Sequence, residues 1–429
     1  MPVIDRHLLL HRMFEAAVQA AHPDFCLLPH LPLPPEGGRM MILAAGKAAG
    51  SMMRVAEKHY RETHGLGPDR LVGLGVARIG YGAETPTLKV LEAGHPVPDA
   101  AGIEATRQVM ELASSATGED KVLVLLSGGG SANWIAPAGA LTLAEKQGIT
   151  RALLKSGATI SEINTVRKHL SAIKGGRLVR LASPAPVLTL AISDVPHDDP
   201  SIIASGPTVP DPSTLVDART IVEKYRIELP KSAHILLNDP ANETPKPGDP
   251  VFSKSEFRLV ARPAHSVDAA AEIAQQAGYD AQNLGADLEG EARHVAALHA
   301  NLARDAAKSG RRLVLLSGGE LTVTVKGQGR GGPNQEYALA LALELGGHPG
   351  IIALAGDTDG TDGGGGNADD PAGALIDETT LERAAAMGLN ASEFLTDNDT
   401  TGFFERLGDL LTPGPTGTNV NDLRAIIIG

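Results

Sequence analysis

Short apolar runs alternate with helical stretches along most of this chain of 429 residues. The runs are nearly continuous in Leu, Val, Ile and Ala, as expected of strands that are covered on both faces. Strands that alternate with helices are typical of a doubly wound parallel sheet. The predicted strands are 40–44, 71–76, 88–91, 122–126 and 187–192, followed by 257–260, 313–316, 351–355 and 423–428.

A segment rich in Pro, Gly, Asn and Asp interrupts this alternation between residues 238 and 255. Segments of this composition commonly connect domains. We therefore predict a Rossmann-like α/β domain with a doubly wound parallel sheet at 1–237 and a second α/β domain with a mixed sheet at 238–429. The run 321–325 alternates apolar and polar residues, which predicts an exposed or antiparallel strand.

The composition excludes several classes of protein. A hydrophobic content of 42% and a charged content of 21% are those of a globular chain. The net charge of −13 argues against a nucleic-acid partner, which would require a positive surface. No segment reaches the roughly 18 apolar residues of a membrane span, and the single cysteine, Cys26, excludes an internal disulfide. We expect a cytoplasmic protein without a membrane partner.

Two predicted strands end in the same Leu-Leu-Ser-Gly-Gly sequence. Glycines at such a turn let the backbone approach a ligand, and the N–H groups there can bind phosphate or carboxylate oxygens. The alternative is that each turn needs glycine only for a positive φ. Repetition of the sequence favours anion binding, by Ser127, Gly128, Gly129, Gly130 and Ser131 in the first copy and by the neighbourhood of Glu320 in the second.

Two basic residues stand beside glycines where a phosphoryl group could be bound. Lys47 follows the strand 40–44 at the start of a helix, where the helix dipole favours an anion. Ala48 occupies the position of the magnesium-binding Ser or Thr of a Walker A loop, so the segment is not such a loop. Arg330 lies between glycines, and its planar guanidinium suits phosphate oxygens.

The segment around Arg330 also contains Gly327, Gly329 and Gly332 in the G-x-G-x-x-G spacing of dinucleotide-binding proteins. We do not favour that interpretation, because the preceding strand alternates in polarity instead of being a buried apolar run.

Acidic residues follow several strand ends. Asp194 comes directly after the strand 187–192, where ligands of open parallel sheets bind. Asp357, Asp359 and Asp362 share a glycine-rich loop that extends to Asn367, and carboxylates at this spacing resemble a magnesium or calcium site. A solvated loop is the alternative for this segment.

These motifs together resemble the class II glycerate 2-kinases, which carry a MOFRL domain and have often been labelled hydroxypyruvate reductases. The similarity is carried, in order, by Gly46-Lys47, 126–132, 167–177 (Arg-Lys-His-Leu-Ser-Ala-Ile-Lys-Gly-Gly-Arg), 193–195, 205–208, 329–336, 356–362 and 417–422. The number of these motifs and their order make the resemblance specific.

The resemblance implies two α/β domains with the active site between them, and a MOFRL region at about residues 312–424. It implies ATP-dependent phosphorylation of D-glycerate at the 2-hydroxyl, giving 2-phospho-D-glycerate and ADP, with Mg²⁺. Lys47, Arg330 and Asp357 are then the expected catalytic residues. Lys174, Glu320, Asn334 and Asn419 join the first glycine turn as expected binding residues for the nucleotide or the substrate anion, and Asp194 and Asp362 are the expected metal ligands.

Two other functions remain open at this point. One is an NAD(P)H-dependent hydroxypyruvate reductase, and the other is a non-catalytic sensor of a sugar acid or nucleotide. The sequence does not decide which glycine turn binds ATP and which binds glycerate. It also leaves a homodimer as an open alternative to a monomer.

Overall fold

The chain forms two compact units in a computed structural model that describes residues 5–363 and 369–429. One unit comprises Cys26–Val260, and the other joins the described residues up to Phe25 to Ala261–Gly429. The helix α1 (Arg6–Ala21) therefore groups with the later residues, whereas the predicted division was 1–237 and 238–429. Its apolar side chains pack in one core with those of the helix Pro263–Gln276, and burial of this face explains the placement.

The unit Cys26–Val260 is built on a six-stranded parallel sheet of order β3-β2-β1-β4-β5-β6. Its strands are β1 (Met40–Ala45), β2 (Leu71–Arg78), β3 (Lys89–Ala93), β4 (Lys121–Leu126), β5 (Val187–Ile192) and β6 (Ser255–Ala261). Helix α2 (Pro23–Cys26) spans the chain position at which this unit begins. The other helices of the unit are α3 (Ala49–Lys58), α4 (Ala100–Ser114), α5 (Gly130–Asn133), α6 (Leu143–Lys155), α7 (Ile160–His169), α8 (Arg177–Ala182), α9 (Leu215–Lys224) and α10 (Lys231–Asn238). The predicted doubly wound parallel sheet is confirmed.

The other unit contains a six-stranded mixed sheet of order β13-β12-β11-β14-β9-β7 and a pair of two-residue strands. Its strands are β7 (Asp280–Asn283), β8 (Gly290–Glu291), β9 (Leu313–Ser317), β10 (Leu321–Thr322), β11 (Ile351–Asp357), β12 (Gly373–Ile376), β13 (Leu410–Leu411) and β14 (Asp422–Ile428). Its further helices are α11 (Pro263–Gln276), α12 (Ala292–Ala307), α13 (Pro333–Leu345), α14 (Thr380–Ala386), α15 (Ala391–Thr396) and α16 (Thr400–Leu407). The predicted mixed sheet is confirmed.

The direction of β14 makes this sheet mixed. β14 is antiparallel to both β9 and β11, so β9 and β11 run in the same direction and end at the same edge of the sheet. The strand predicted at 321–325 is shorter than expected, since β10 ends at Thr322. It pairs with β8, and the two strands are parallel.

Helices cover both faces of the mixed sheet. Helix α13 is buried along nearly its whole length, and its side chains fill the core on one face together with those of α12. Helices α1 and α11 cover the other face. A helix that is apolar on all sides belongs in such a core. Among the described residues, none of the helices is long and apolar enough to cross a membrane.

The amino ends of β1 and β4 are joined by a buried ion pair away from the strands' carboxyl ends. Asp120, which precedes β4, accepts hydrogen bonds from the Arg39 main-chain N–H at 2.7 Å and from the guanidinium at 2.9 Å. Thr117 donates to the same carboxylate from its N–H at 2.8 Å. The Arg39 guanidinium holds the pKa of Asp120 well below its usual range.

We expect Asp120→Asn to lower the free energy of unfolding by about 2–4 kcal/mol at neutral pH, because the amide leaves Arg39 unpaired. A carboxyl whose pKa is lowered on folding stabilises the protein above its unfolded pKa of about 4, and this contribution is lost as the pH falls below that value. The difference between wild type and variant should therefore shrink from about pH 7 to about pH 3 in urea unfolding. A difference independent of pH would contradict this role.

Candidate active site

The order of strands in the parallel sheet reverses between β1 and β4, and two predicted site segments meet there. In open α/β sheets, ligands bind beyond the carboxyl ends of the strands at such a reversal. Gly46 and Lys47 follow β1, and the turn that begins at Ser127 follows β4. The Lys47 N–H donates to the Gly128 carbonyl at 2.7 Å, and the Ser127 N–H donates to the Ala45 carbonyl at 3.0 Å.

Ser127 joins the two segments through its side chain. Its Oγ accepts a hydrogen bond from the Ala48 main-chain N–H at 2.9 Å, and the residue is fully buried. The serine of this turn is therefore used to fix the turn to the start of α3. Within residues 5–363 and 369–429, the main-chain N–H groups of Gly128 and Gly129 have no hydrogen-bond acceptor. These two donors suit a bound oxyanion.

Glycine is required at this junction for close approach of the two segments. Gly46 has a φ of +121°, and a Cβ there would lie 2.5 Å from the Ser127 carbonyl oxygen. Gly129 has a φ of +81°, and a Cβ there would lie 2.9 Å from the His95 ring and 3.5 Å from Cγ of Lys47. Lys47, His95 and the turn are thus immediate neighbours.

Ser131 and Lys174 lie behind the turn. Lys174 is 1% exposed, and its Nζ donates to the Ser131 carbonyl at 2.7 Å. The Ser131 hydroxyl is 2.6 Å from the hydroxyl of Ser205, which lies in the loop after β5. The Lys174 side chain therefore supports the backbone of the turn. Its contact with a bound anion stays a prediction.

The loop after β5 is held in uncommon backbone conformations. His197, Asp198, Ala204 and Ser205 all have φ between +50° and +62°. Non-glycine residues in this region are strained, and they occur often at functional sites. Asp194 opens this loop and is partly buried. The loop lies after the strand next to β4, so Asp194 follows the neighbouring strand end as predicted.

The second Ser-Gly-Gly turn, after β9, has a different environment from the first. The buried Arg424 side chain donates from Nε to Ser317 Oγ at 3.2 Å and from a terminal nitrogen to the Gly318 carbonyl. Arg424 also pairs with Asp422 at 2.8 Å. The carbonyls of this turn thus bind a cation of the protein itself. Glu320, predicted to bind an anion or a substrate near this turn, is exposed.

Asp357 ends β11, next to these residues on the sheet, and lies opposite Asp422 in the strand register. It is partly buried, and its Oδ1 accepts the Asp359 main-chain N–H at 2.9 Å. Asn419 is 2% exposed and lies in the loop before β14. Thr358 ties this loop to the Asp357 loop, since its hydroxyl donates to the Asn421 carbonyl at 2.6 Å. The predicted acidic loop continues through 364–367, which lie outside the described residues.

Asp362 caps the buried helix α13. One carboxylate oxygen accepts the Asn334 N–H at 2.9 Å, and the other accepts the Gln335 N–H at 2.9 Å. The amide groups of both residues also donate to this carboxylate. Gly332, at the helix start, has no side chain to cap it, and a Cβ there would lie 2.2 Å from the Asp362 carbonyl oxygen.

Burial raises the pKa of Asp362 to about 7, and the hydrogen bonds from Asn334 and Gln335 oppose this rise. The nearby Asp422 raises it further, and Asn334 Nδ2 donates to both carboxylates. Asn334, predicted to bind a ligand, is 1% exposed and bridges these two acids. The assignment of Asp362 to a metal stays a prediction, and its partners favour helix capping.

Arg330 is exposed, with 69% of its side chain accessible, and its guanidinium is 3.2 Å from Glu405. Its main-chain N–H donates to Asp399 at 3.2 Å, which fixes the loop to the start of α16. The neighbouring glycines are needed for this contact, since a Cβ on Gly329 would lie 2.4 Å from the Asp399 main-chain nitrogen. Close packing of the loop therefore accounts for the G-x-G-x-x-G spacing.

The acidic residues can be tested for a fit to Mg²⁺. In the described parts of the chain, His, Cys, Asp and Glu side chains do not come together in groups of three or more around a metal position. Mg²⁺ is usually held by one or two carboxylates together with substrate phosphates, and not by a cage of protein ligands alone. Single strand-end carboxylates such as Asp357 and Asp194 fit that mode of binding.

Some residues that shape the site were not found by sequence reasoning. Ser205 was only part of a recognised motif, and Arg424 and Asp422 were read as a strand and its flank. Charged residues at the start of an otherwise apolar strand, as in Asp422-Leu-Arg424, were the one available signal. A buried charge in such a strand requires a partner.

Two family patterns match the chain. A family described as a domain of unknown function, DUF4147, matches residues 9–238, and the MOFRL family matches residues 313–422. The chain therefore belongs to the family of proteins that combine these two regions, among which are relatives named glycerate kinases.

Relatives align over nearly the whole chain. The D-glycerate 2-kinase of Thermotoga maritima is 40% identical, and the alignment covers 95% of each protein. A protein of Agrobacterium vitis, whose name assigns it provisionally as a hydroxypyruvate reductase, is 45% identical over 98% of this chain and 94% of its own. A crystal structure of the T. maritima glycerate kinase matches with a TM-score of 0.87 and 38% identity, covering 99% of this chain and 100% of that one.

We expect Gly46→Ala to abolish most activity, because a methyl group at φ +121° would push the Ser127–Gly128 backbone out of place. Gly65→Ala is the matched control: Gly65 also has a positive φ of +64°, but a Cβ there would meet open space. The control should lose only about 1–2 kcal/mol of stability, the cost of a left-handed alanine. The measurements are the rate of turnover and the thermal unfolding temperature of both variants. Equal losses of activity would contradict the close-approach argument.

Proposed function

We propose that the protein is an ATP-dependent kinase that phosphorylates D-glycerate at its 2-hydroxyl, giving 2-phospho-D-glycerate and ADP. The observation that carries this proposal is the junction at the strand reversal. There, Lys47 lies beside a glycine turn whose N–H groups are available to an anion, in a chain similar over its length to D-glycerate 2-kinases.

The chemistry of phosphoryl transfer suits these residues. The reaction requires positioning of two reactants and neutralisation of negative charge more than covalent catalysis. We assign Lys47 and Arg330 to the charge of the transferring phosphoryl group. The Gly128 and Gly129 N–H groups are assigned to phosphate or carboxylate oxygens.

Asp357 is assigned to the substrate hydroxyl or to Mg²⁺, and Asp194 to the metal. The ion would supply neutralisation of the nucleotide's phosphate charge. Asp357 is partly buried at a strand end, and the main-chain N–H of Asp359 fixes one of its oxygens. A carboxylate oriented in this way can accept a proton from a hydroxyl within hydrogen-bond reach.

The reductase alternative has less support from the structure. A dinucleotide would need glycines that approach its pyrophosphate. The chain's G-x-G-x-x-G segment instead packs closely against its own loop at 397–400: a Cβ on Gly327 would lie 2.1 Å from the Asp397 carbonyl oxygen. Relatives from several organisms are named glycerate kinases, which favours the kinase over the reductase name.

A direct assay separates the two functions. Incubation with ATP, Mg²⁺ and D-glycerate should release ADP only when glycerate is present, and product analysis should give 2-phosphoglycerate and not 3-phosphoglycerate. Incubation with hydroxypyruvate and NADH or NADPH should leave the nicotinamide absorbance unchanged. Oxidation of the nicotinamide without ATP consumption would overturn the proposal, and binding without turnover of either co-substrate would support a sensor.

We expect Arg330→Ala to lower kcat by roughly 10²-fold or more, since an arginine directed at a transferring phosphoryl group contributes strongly to its stabilisation. Its side chain is exposed, so the thermal unfolding temperature should hardly change. Glu405→Ala is the control, because it removes the same surface ion pair and retains Arg330. Activity losses of similar size in both variants would assign Arg330 a structural role only.

A further inference from the structure

A group of basic side chains in the unit Cys26–Val260 has no acidic partner. Lys146 and Lys174 are 4% and 1% exposed, and Arg167 is partly buried. The amino group of Lys146 donates to the Leu170 carbonyl at 2.6 Å, and that of Lys174 to the Ser131 carbonyl. The Arg167 guanidinium donates to the Asn164 side chain at 3.3 Å. Throughout the part of the chain that the structure describes, these three cations form no ion pair.

Two neighbouring basic residues, by contrast, have acidic partners. Lys168 lies 3.4 Å from Asp211, and His169 lies 2.9 Å from Glu243. Burial, together with repulsion from Arg167, lowers the pKa of both Lys146 and Lys174. Burial without a counter-ion disfavours the charged form of these amino groups, and an anion bound beside them would stabilise that form.

A cavity of about 380 Å³ opens on this group. Lys146 and Arg167 line it, together with the exposed Arg151 of helix α6. Arg151 also lacks an ion-pair partner among residues 5–363 and 369–429. Its lining also includes the apolar side chains of Val97 and Leu154, which are 65% and 61% exposed. The cavity therefore combines positive charge with exposed apolar surface.

The cavity adjoins the glycine turn after β4. Its wall begins at Pro96, next to His95, and a Cβ on Gly129 would touch the His95 ring at 2.9 Å. Ile135, which follows the turn and the short helix α5, forms another part of the wall. A ligand in the cavity would thus lie beside the segment that holds Lys47 and the available N–H groups.

A second cavity in the same unit is lined by a basic residue that does have acidic partners. It is lined by Arg107, but Arg107 is paired with Glu104 at 2.6 Å and also with Glu111. Its cation is therefore compensated by the chain itself. Among the described residues, the basic side chains that line the cavity at Lys146 have no such acidic partner.

We propose that the cavity lined by Lys146, Arg151 and Arg167 binds the nucleoside triphosphate, with its base against the apolar lining residues and its phosphates beside the basic ones. Ligand sites of this size commonly combine an apolar lining with a few polar or charged groups. Glycerate has almost no apolar surface to place on Val97 and Leu154. The choice of a nucleotide as the occupant rests on the proposed kinase function. The observations of unpaired basic residues and of apolar lining residues are independent of that function.

Exposed residues of the cavity allow a test that leaves the fold intact. Arg151→Glu should weaken binding of the non-hydrolysable analogue adenylyl imidodiphosphate about tenfold in titration calorimetry, since it replaces an attraction for phosphate by a repulsion. Leu154→Ser should weaken binding of adenosine about threefold and leave binding of inorganic triphosphate unchanged. Arg226→Glu, an exposed residue of the same unit outside the cavity, is the control for net charge.

The outcomes separate this site from the proposed function. Weakened nucleotide binding in both cavity variants, with the unfolding temperature unchanged, supports the assignment even if the wild-type protein fails to phosphorylate glycerate. If both cavity variants bind the nucleotide as tightly as the control variant Arg226→Glu does, the assignment of the cavity is overturned. A raised KM for glycerate with unchanged nucleotide affinity would also overturn it, because the cavity would then hold the acid substrate.

Discussion

The hydrogen bonds that join the ends of β1 and β4 hold the two segments of the candidate site together. Ser127 Oγ and the Gly128 carbonyl accept the N–H groups of Ala48 and Lys47, so the two segments leave the sheet as one unit. The glycines at 46 and 129 make that contact sterically feasible. Because the serine and the carbonyl are used internally, the N–H groups of Gly128 and Gly129 remain for a ligand.

The two Ser-Gly-Gly turns show how one local sequence acquires different roles. Lys47 and Lys174 lie beside the first, where the N–H groups of Gly128 and Gly129 have no acceptor among the described residues. At the second, Arg424 binds the serine hydroxyl and the glycine carbonyls from the adjacent strand. An anion would be attracted to the first environment, while the second is a closed internal contact. The repeated sequence predicted two equivalent strand ends correctly, but the chemistry depended on residues distant in sequence.

The fold class and most strands could be predicted because apolar runs and breakers are local signals. Lys47 and the Ser127 turn were each found because each follows an apolar strand beside glycines, and the parallel sheet brings the two strand ends to one edge. Asp362 was different: its spacing from Asp357 and Asp359 resembles a metal loop, and only the tertiary structure shows it at the start of α13. The unpaired charge of Lys146 was also invisible, because a sequence shows which residues are charged and not which of them lack a partner.

The position of α1 affects how the chain is made. The unit Cys26–Val260 is inserted between α1 and the rest of the other unit, whose core α1 completes against α11. During synthesis the inserted unit can fold as soon as it has emerged, since domains generally fold as units. Helix α1 is made before the inserted unit but must wait for Pro263–Gln276, with Leu9, Leu10 and Met13 uncovered until then. A helix that is synthesised before the inserted unit is therefore buried only after that unit has been made.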